Sequence, residues 1–118
     1  MVICDRYADS TIAYQGYGRG LDLTTVSTVN ETATQGLKPN LTILLDVPVE
    51  KGLRRKEDER PDRFHTEKVN FHRRVREGFL QLATEEPGRW IVIDGTQSIE
   101  HVAGIIRERV KRVRADSN

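Results

Sequence analysis

The sequence predicts an α/β domain in which helices cover both faces of a parallel sheet. Two unbroken apolar runs, at residues 41–46 and 90–95, are separated by longer stretches with helical spacing. Runs that do not alternate apolar with polar residues suit strands that are buried on both faces. Both contain an aspartate at or near the end, Asp46 and Asp94, at the carboxyl edge where open α/β folds bind ligands.

A third, shorter apolar run opens the chain. Residues 2–4 are apolar and are followed by Asp5 and Arg6, which predicts a truncated first strand. Cys4 would then be a buried, unreactive thiol. The three strands and the helical stretches give the order β-α-β-α-α-β-α, which is typical of a layered α/β domain.

The helical stretches begin and end at recognisable residues. The first is predicted to have Thr24 or Thr25 as its N-cap and to end at Gly36, and Ser98 is predicted to cap the last. Gly78 lies inside a helical pattern, at a cost of about 1 kcal/mol relative to alanine, which indicates a close packing contact. The four predicted helices cover residues 23–36, 49–56, 66–83 and 98–113.

Composition limits the class of protein. The 118 residues fit one domain, residues 1–118, and 19 Lys plus Arg against 18 Asp plus Glu argue against a broadly basic nucleic-acid binder. No apolar run approaches the roughly 20 residues that cross a bilayer, so no membrane partner is predicted. The single cysteine excludes an internal disulfide and favours a cytoplasmic location.

Polar residues that could bind a ligand or take part in a reaction follow the first predicted strand. An arginine such as Arg6 can bind a phosphate through two hydrogen bonds, and Asp5 beside it can reach magnesium-bound water. The alternative is a structural salt bridge between the two. Thr11 and Gln15 lie four residues apart, on one face of a helix, where a hydroxyl and an amide can contact the polar edge of a base. Solvent-facing side chains are the alternative interpretation.

Taken together, residues 5–21, DRYADSTIAYQGYGRGL, closely resemble the signature of thymidylate kinases, P-loop enzymes that transfer a phosphoryl group from ATP to dTMP. The resemblance continues, in the family's order, through residues 37–48, 61–64, 71–80 and 93–96. It implies a partial P-loop kinase-type three-layer domain whose first two strands are missing. It also implies a lid over ATP at about residues 54–66.

The resemblance implies a role for each residue of the first segment. Arg6 would hold the dTMP phosphate, and Asp5 would lie beside the transferring phosphoryl group and its Mg²⁺. Thr11 and Gln15 would contact the thymine, and Tyr14 would lie against the deoxyribose.

On the ATP side, Arg63 would be the lid arginine that reaches the phosphates, with Arg54 and Arg60 as further candidates. Gly95 and Thr96 would pass near the adenine. Several arginines on one segment suit a lid that closes over substrate and excludes water. The charged run at residues 54–60 is also typical of a solvated surface.

No Gly-x-x-x-x-Gly-Lys-Ser/Thr motif occurs in the 118 residues. Gly16, Gly18 and Gly20 are interpreted as a flexible connection. We therefore expect the chain alone not to phosphorylate dTMP, although the complete enzyme would do so with ATP and Mg²⁺. The alternatives are an inactive remnant that binds nucleotide or only self-associates, and a kinase for another nucleotide. The resemblance further implies a homodimer, with the helix at residues 23–36 as candidate contact.

Overall fold

The computed structural model describes residues 1–49 and 63–116, with the backbone alone at residues 63–66. The predicted helix at residues 49–56 lies, beyond its first residue, outside that part. No helix among the described residues is both long and apolar enough to cross a membrane. The elements are, in order, α1 (Ala8–Thr11), a π-helix (Ile12–Gly18), α2 (Leu23–Thr34), β1 (Thr42–Asp46), α3 (Arg63–Glu85), β2 (Trp90–Asp94) and α4 (Ile99–Asp116).

Strands β1 and β2 pair in parallel, as the two apolar runs predict. Their register runs from Thr42 opposite Trp90 to Asp46 opposite Asp94. The two aspartates therefore lie side by side at the carboxyl end of the sheet. This is the edge at which parallel α/β sheets place their chemistry.

Helices α3 and α4 lie on opposite faces of this sheet. Arg76 of α3 hydrogen bonds to Asp46, whereas Ile91 lines an open groove of about 550 Å³ together with residues of α4. In the pairing register Ile91 lies opposite Ile43, three residues before Asp46, and alternate residues point to opposite faces. The predicted layering is thus confirmed. The cover is incomplete, because Leu45 is 50% and Val92 45% exposed.

The prediction of a strand at residues 2–4 is wrong. Val2 and Ile3 are 94% and 84% exposed and have no regular structure. Cys4 is also exposed, and its thiol donates a hydrogen bond to the carbonyl oxygen of Arg6 at 3.4 Å. An apolar run becomes a strand only where a neighbour accepts its backbone hydrogen bonds, and within the described residues β1 and β2 pair only with each other.

The N-cap of α2 also differs from the prediction. Asp22 caps the helix by accepting hydrogen bonds from the amide of Thr25 at 3.0 Å and from its hydroxyl at 2.7 Å. Thr24 and Thr25 lie inside the first turn and are not caps. The predicted cap of α4 is confirmed, because the Ser98 hydroxyl accepts from the amide of His101 at 3.2 Å.

The interpretation of the glycines as a flexible connection is wrong for Gly16 and Gly18, which are buried in the π-helix. A Cβ on Gly18 would lie 2.8 Å from side-chain carbons of both Phe71 and Val75. Arg74 of α3 also donates a hydrogen bond to the Gly18 carbonyl oxygen at 2.9 Å, at the end of the π-helix. Gly18 thus lets the π-helix approach α3 closely, whereas Gly16 faces Leu23 of α2. The contact between the π-helix and α3 forms much of the core.

Candidate active site

Arg6 has a backbone conformation that is unusual for a residue with a side chain. Its φ is 63°, in the left-handed region, and the one other such non-glycine residue in the described part is Gln35, at the C-cap of α2. A helix C-cap often takes this conformation, but Arg6 is not at a helix end of that kind. Such strain costs of order 1 kcal/mol or more and concentrates at functional sites.

The guanidinium of Arg6 lies over an aromatic ring. Its Cζ is 5.2 Å from the ring centroid of Tyr14, within the range of a cation–π interaction. The Tyr14 ring is itself held by two rings of α3, with centroid distances of 6.1 Å to Phe71 and 6.2 Å to Phe79. Helix α3 therefore fixes Tyr14, and Tyr14 in turn supports Arg6.

Asp5 and Arg6 are both exposed, and neither forms an ion pair with another described residue. The structure therefore does not contain the alternative, a salt bridge between Asp5 and Arg6. Both charges face solvent, which is the condition for binding a charged ligand.

Thr11 and Gln15 lie next along the same segment. Thr11 is the last residue of α1 and is exposed, and Gln15 is half-buried in the π-helix. Among the described residues, neither side chain has a hydrogen-bond partner. A π-helix closes hydrogen bonds between residues five apart, so side chains four or five apart lie near one another, and π-helical turns are frequent at functional sites.

A second group of polar side chains lies at the carboxyl edge of the sheet. Arg76 donates two hydrogen bonds to Asp46, at 2.7 Å from Nε and 2.9 Å from Nη2. The hydrogen bonds from Arg76 hold the pKa of Asp46 below its usual range, although burial and the neighbouring Asp94 act in the opposite direction.

Gly95 and Thr96 follow β2 in a turn that is tied to this edge. The Asp94 carboxylate accepts hydrogen bonds from the amide of Thr96 at 2.9 Å and from its hydroxyl at 2.6 Å. The Gly95 amide donates to the carbonyl oxygen of Asp46 at 2.9 Å. The turn is therefore rigid and borders the strand ends.

Sequence reasoning missed the arginines that organise these groups. Arg76 pairs with Asp46 across 30 residues, and Arg89 pairs with Asp9 across 80 residues. From its neighbouring sequence alone, each arginine would be interpreted as an ordinary charged residue on the surface. No spacing rule within one element connects such distant partners, so only the folded structure identifies them.

The side chains of the three predicted lid arginines are not among those that the structure describes. Arg54 and Arg60 lie outside the described residues. Arg63 is the first residue of α3, and its side chain is not described. Their contact with ATP phosphates stays a prediction.

The described residues suit a magnesium ion that is carried mainly by phosphates. Within them, no three His, Cys, Asp or Glu side chains come close enough to hold a metal ion. Magnesium usually keeps several waters and binds one or two carboxylates together with substrate phosphates. Asp5, an exposed carboxylate beside Arg6, is of the kind that can bind the water shell of such an ion.

The parallel sheet with helices on its faces, and the charged segment before α2, are typical of P-loop-type nucleotide kinases. A solved structure agrees: thymidylate kinase from Ehrlichia chaffeensis matches with a TM-score of 0.58 and 37% sequence identity, over 78% of this chain and 41% of that chain.

The chain belongs to the thymidylate kinase family, whose sequence model matches residues 1–106. Thymidylate kinase of Geotalea uraniireducens (strain Rf4) is 52% identical over 117 residues, which is 93% of this chain and 55% of that relative. Thymidylate kinase of Sulfurihydrogenibium sp. (strain YO3AOP1) is 50% identical over 112 residues, covering 95% of this chain and 54% of that relative. The chain thus spans about half the length of the curated relatives it matches.

Proposed function

We propose that this chain forms the dTMP-binding side of a thymidylate kinase. In the complete enzyme a phosphoryl group passes from ATP to the phosphate of dTMP, giving dTDP and ADP. The observation that carries the proposal is the state of Arg6, an exposed guanidinium on a strained backbone, held over Tyr14.

Arg6 is suited to the phosphate of dTMP. Its planar fork can donate two parallel hydrogen bonds to phosphate oxygens, and charge-assisted bonds of this kind are about twice as strong as neutral ones. Because Arg6 has no ion pair with another described residue, no described carboxylate has to be displaced from it. The ring of Tyr14 restricts the guanidinium and so lowers the entropy lost on binding.

Thr11 and Gln15 are proposed to select the base. A hydroxyl and an amide supply donors and acceptors that match the carbonyl oxygens and ring N–H of thymine. Tyr14 would lie against the deoxyribose, where a 2′-hydroxyl would crowd it. A kinase for another nucleotide is the competing proposal, and comparing dTMP with other monophosphates separates the two.

On the side of ATP, the phosphoryl donor, Arg63 is proposed to contact the phosphates, with Arg54 and Arg60 as further contacts. Gly95 and Thr96 would border the adenine, and Asp5 would bind magnesium-bound water. When bound, ATP supplies the phosphoryl group and Mg²⁺ neutralises charge on its phosphates. The protein's own part is to position the acceptor, supply cations and exclude water.

On its own, the chain is proposed to bind dTMP without phosphorylating it, because its sequence holds no phosphate-cradling Gly-x-x-x-x-Gly-Lys-Ser/Thr motif. A coupled assay for ADP with ATP, Mg²⁺ and dTMP tests this. Turnover that depends on dTMP would overturn the proposal of inactivity and leave the proposed substrate intact.

The binding proposal is tested by titrating dTMP into the chain and following amide resonances by NMR. We expect saturable shifts at Arg6, Thr11 and Gln15. Arg6→Gln should weaken binding by roughly tenfold or more, since hydrogen bonds to charged groups contribute about 1.5–3 kcal/mol. Arg114→Gln on α4 is the matched control and should leave the affinity unchanged. Equal effects of the two variants, or no saturable shift, would contradict the proposal.

Self-association is a second candidate function, favoured by the exposed apolar start of the chain. Met1, Val2 and Ile3 are consecutive and are 82%, 94% and 84% exposed, and contiguous apolar exposure is typical of contact surfaces, unlike a single exposed apolar side chain. Light scattering over a range of concentrations should show a mass that rises above 13.5 kDa. Ile3→Lys should reduce association, whereas Ile99→Lys, a control at an equally exposed isoleucine (88%), should not.

A further inference from the structure

Arg89 joins three separate parts of the chain. Its Nη1 and Nη2 donate to the two carboxylate oxygens of Asp9, at 3.0 and 3.1 Å. Nη1 also donates to the hydroxyl of Thr42 at 2.7 Å, and Nε donates to Glu86 at 3.1 Å. The guanidinium lies 5.3 Å from the ring of Trp90. The planar fork is therefore held on its edges and on one face.

This cluster is largely removed from water. The side chains of Arg89 and Asp9 are 12% and 15% exposed, whereas that of Glu86 is 38% exposed. Burial disfavours the charged guanidinium, but the hydrogen bonds from it to Asp9 and Glu86 outweigh this effect and raise the pKa of Arg89. An ion pair in such surroundings keeps a fixed geometry, unlike an exposed pair.

The two residues of the Arg89–Asp9 pair lie in different parts of the fold. Arg89 directly precedes β2, and its partner Thr42 is the first residue of β1. Asp9 lies in α1, three residues after Arg6 and two before Thr11. The pair therefore ties the sheet to the segment that is proposed to bind dTMP.

Helix α1 lies at the exposed start of a longer helical segment. It has four residues, none of them buried, and it continues directly into the π-helix at Ile12. Its other long-range hydrogen bond joins the Asn30 side chain to the Ala8 carbonyl oxygen at 2.8 Å. That bond comes from α2, so among the described residues Arg89 supplies the ion pair that sets α1 relative to the sheet.

We propose that Asp9 and Arg89 are positioning residues, which hold α1 so that Arg6 and Thr11 are placed to bind dTMP. The proposal rests on the proposed function. Glu86 takes part in the same cluster, where it accepts hydrogen bonds from Arg89 and Lys38, but among the described residues it has no hydrogen bond to α1. It therefore provides a matched control for the loss of a carboxylate partner.

The test compares Asp9→Asn with Glu86→Gln in the whole chain. Each change removes one carboxylate charge from Arg89 and keeps the shape of the side chain. Hydrogen exchange is measured over residues 6–18, 42–46 and 90–94, and dTMP affinity is measured at a temperature where all variants are folded. We expect Asp9→Asn to speed exchange selectively in residues 6–18 and to weaken dTMP binding roughly tenfold. Glu86→Gln should change both by less than about twofold.

Arg89→Lys gives a second, conservative test if Asp9→Asn does not fold. Lysine keeps the charge but not the fork, so part of the dTMP affinity should be retained. Uniform changes in exchange, or equal effects of Asp9→Asn and Glu86→Gln, would overturn the positioning role. If the unmodified chain does not bind dTMP, the proposed function fails, and the exchange data alone decide whether the pair holds α1.

Discussion

Gly78 of α3 packs directly against Tyr17 of the π-helix. A Cβ at Gly78 would lie 2.6 Å from Cγ of Tyr17 and 2.7 Å from its Cβ, closer than carbon atoms approach without a clash. The close contact expected from a glycine inside a helix is thereby confirmed. The missing side chain lets the two helices meet, and the adjacent Tyr14 reaches the rings of α3 from the same π-helix.

Gly78→Ala should destabilise the protein. The added methyl group must displace the Tyr17 ring or the helix, and overpacking of this kind costs about 1–3 kcal/mol. The gain in helix propensity, about 1 kcal/mol, offsets part of that cost. Urea unfolding can be followed by the fluorescence of Trp90, the single tryptophan, which is 4% exposed.

Gly104→Ala is the matched control. Gly104 lies inside α4, and a Cβ there meets nothing within 4 Å. Alanine should therefore stabilise the protein by about 0.5–1 kcal/mol through propensity alone. A loss of stability in Gly78→Ala together with a gain in Gly104→Ala would confirm that packing determines the effect at Gly78. Stability changes of the same sign in both variants would contradict the contact with Tyr17.

The cap of α2 gives a second prediction. Both hydrogen bonds from Thr25 end on the Asp22 carboxylate, and they hold the pKa of Asp22 below its usual value. Asp22→Ala should lower the melting temperature by a few degrees, since the cap and its favourable charge at the helix N-terminus are lost. Thr24→Ala should have little effect. A larger fall in the melting temperature for Thr24→Ala than for Asp22→Ala would instead support Thr24 as the cap, as the sequence predicted.

Local patterns predicted much of the fold. The two apolar runs predicted β1 and β2 and the position of Asp46 and Asp94 at the carboxyl edge, because each strand carries its own signal, and the structure adds that the two aspartates are paired in register. Residues 2–4 have the same apolar character but no ladder partner in the described part, so character alone does not make a strand. The close packing of Gly18 depends on Phe71 and Val75 of α3, more than 50 residues away, which no local pattern reports.

The candidate site divides in the same way. A contiguous signature predicted Arg6, Tyr14 and their neighbours as site residues, and all of them lie on one short segment. The links from Arg76 to Asp46 and from Arg89 to Asp9 cross from one element to another. Such links depend on the way the elements pack, and single-sequence reasoning has no access to that.

The pair of Asp46 and Arg76 predicts a pH-dependent contribution to stability. Because the folded-state pKa of Asp46 is lowered, mainly by hydrogen bonds from Arg76, its charged form favours the folded state. That contribution is complete above the unfolded-state pKa of about 3.9 and is lost as pH falls through the lower folded-state value. Arg76→Met should therefore cost about 1 kcal/mol at pH 6, and the difference from the unmodified chain should shrink below about pH 4.

The pH effect can be assigned to Asp46 by a double-mutant cycle. In an Asp46→Asn background, Arg76→Met should no longer cause a loss of stability that depends on pH between about 2 and 6. Direct NMR titration of the Asp46 carboxyl carbon should show its pKa rise in the Arg76→Met variant. An unchanged pKa would mean that another group is responsible.

The stacking of Arg6 on Tyr14 predicts how the site depends on an aromatic ring. Cation–π contacts at exposed positions contribute about 0.5–1 kcal/mol, so Tyr14→Leu should weaken dTMP binding by about two- to fivefold. Tyr14→Phe keeps the ring and its packing against Phe71 and Phe79, and it should retain most of the affinity. Thymidine, which lacks the phosphate, should lose less affinity than dTMP on Tyr14→Leu, because it loses only the proposed contact with the deoxyribose, whereas dTMP also loses the support that the ring gives to Arg6. An equal loss for the two ligands would mean that the sugar contact accounts for the whole effect, and that Arg6 does not need the ring to bind phosphate.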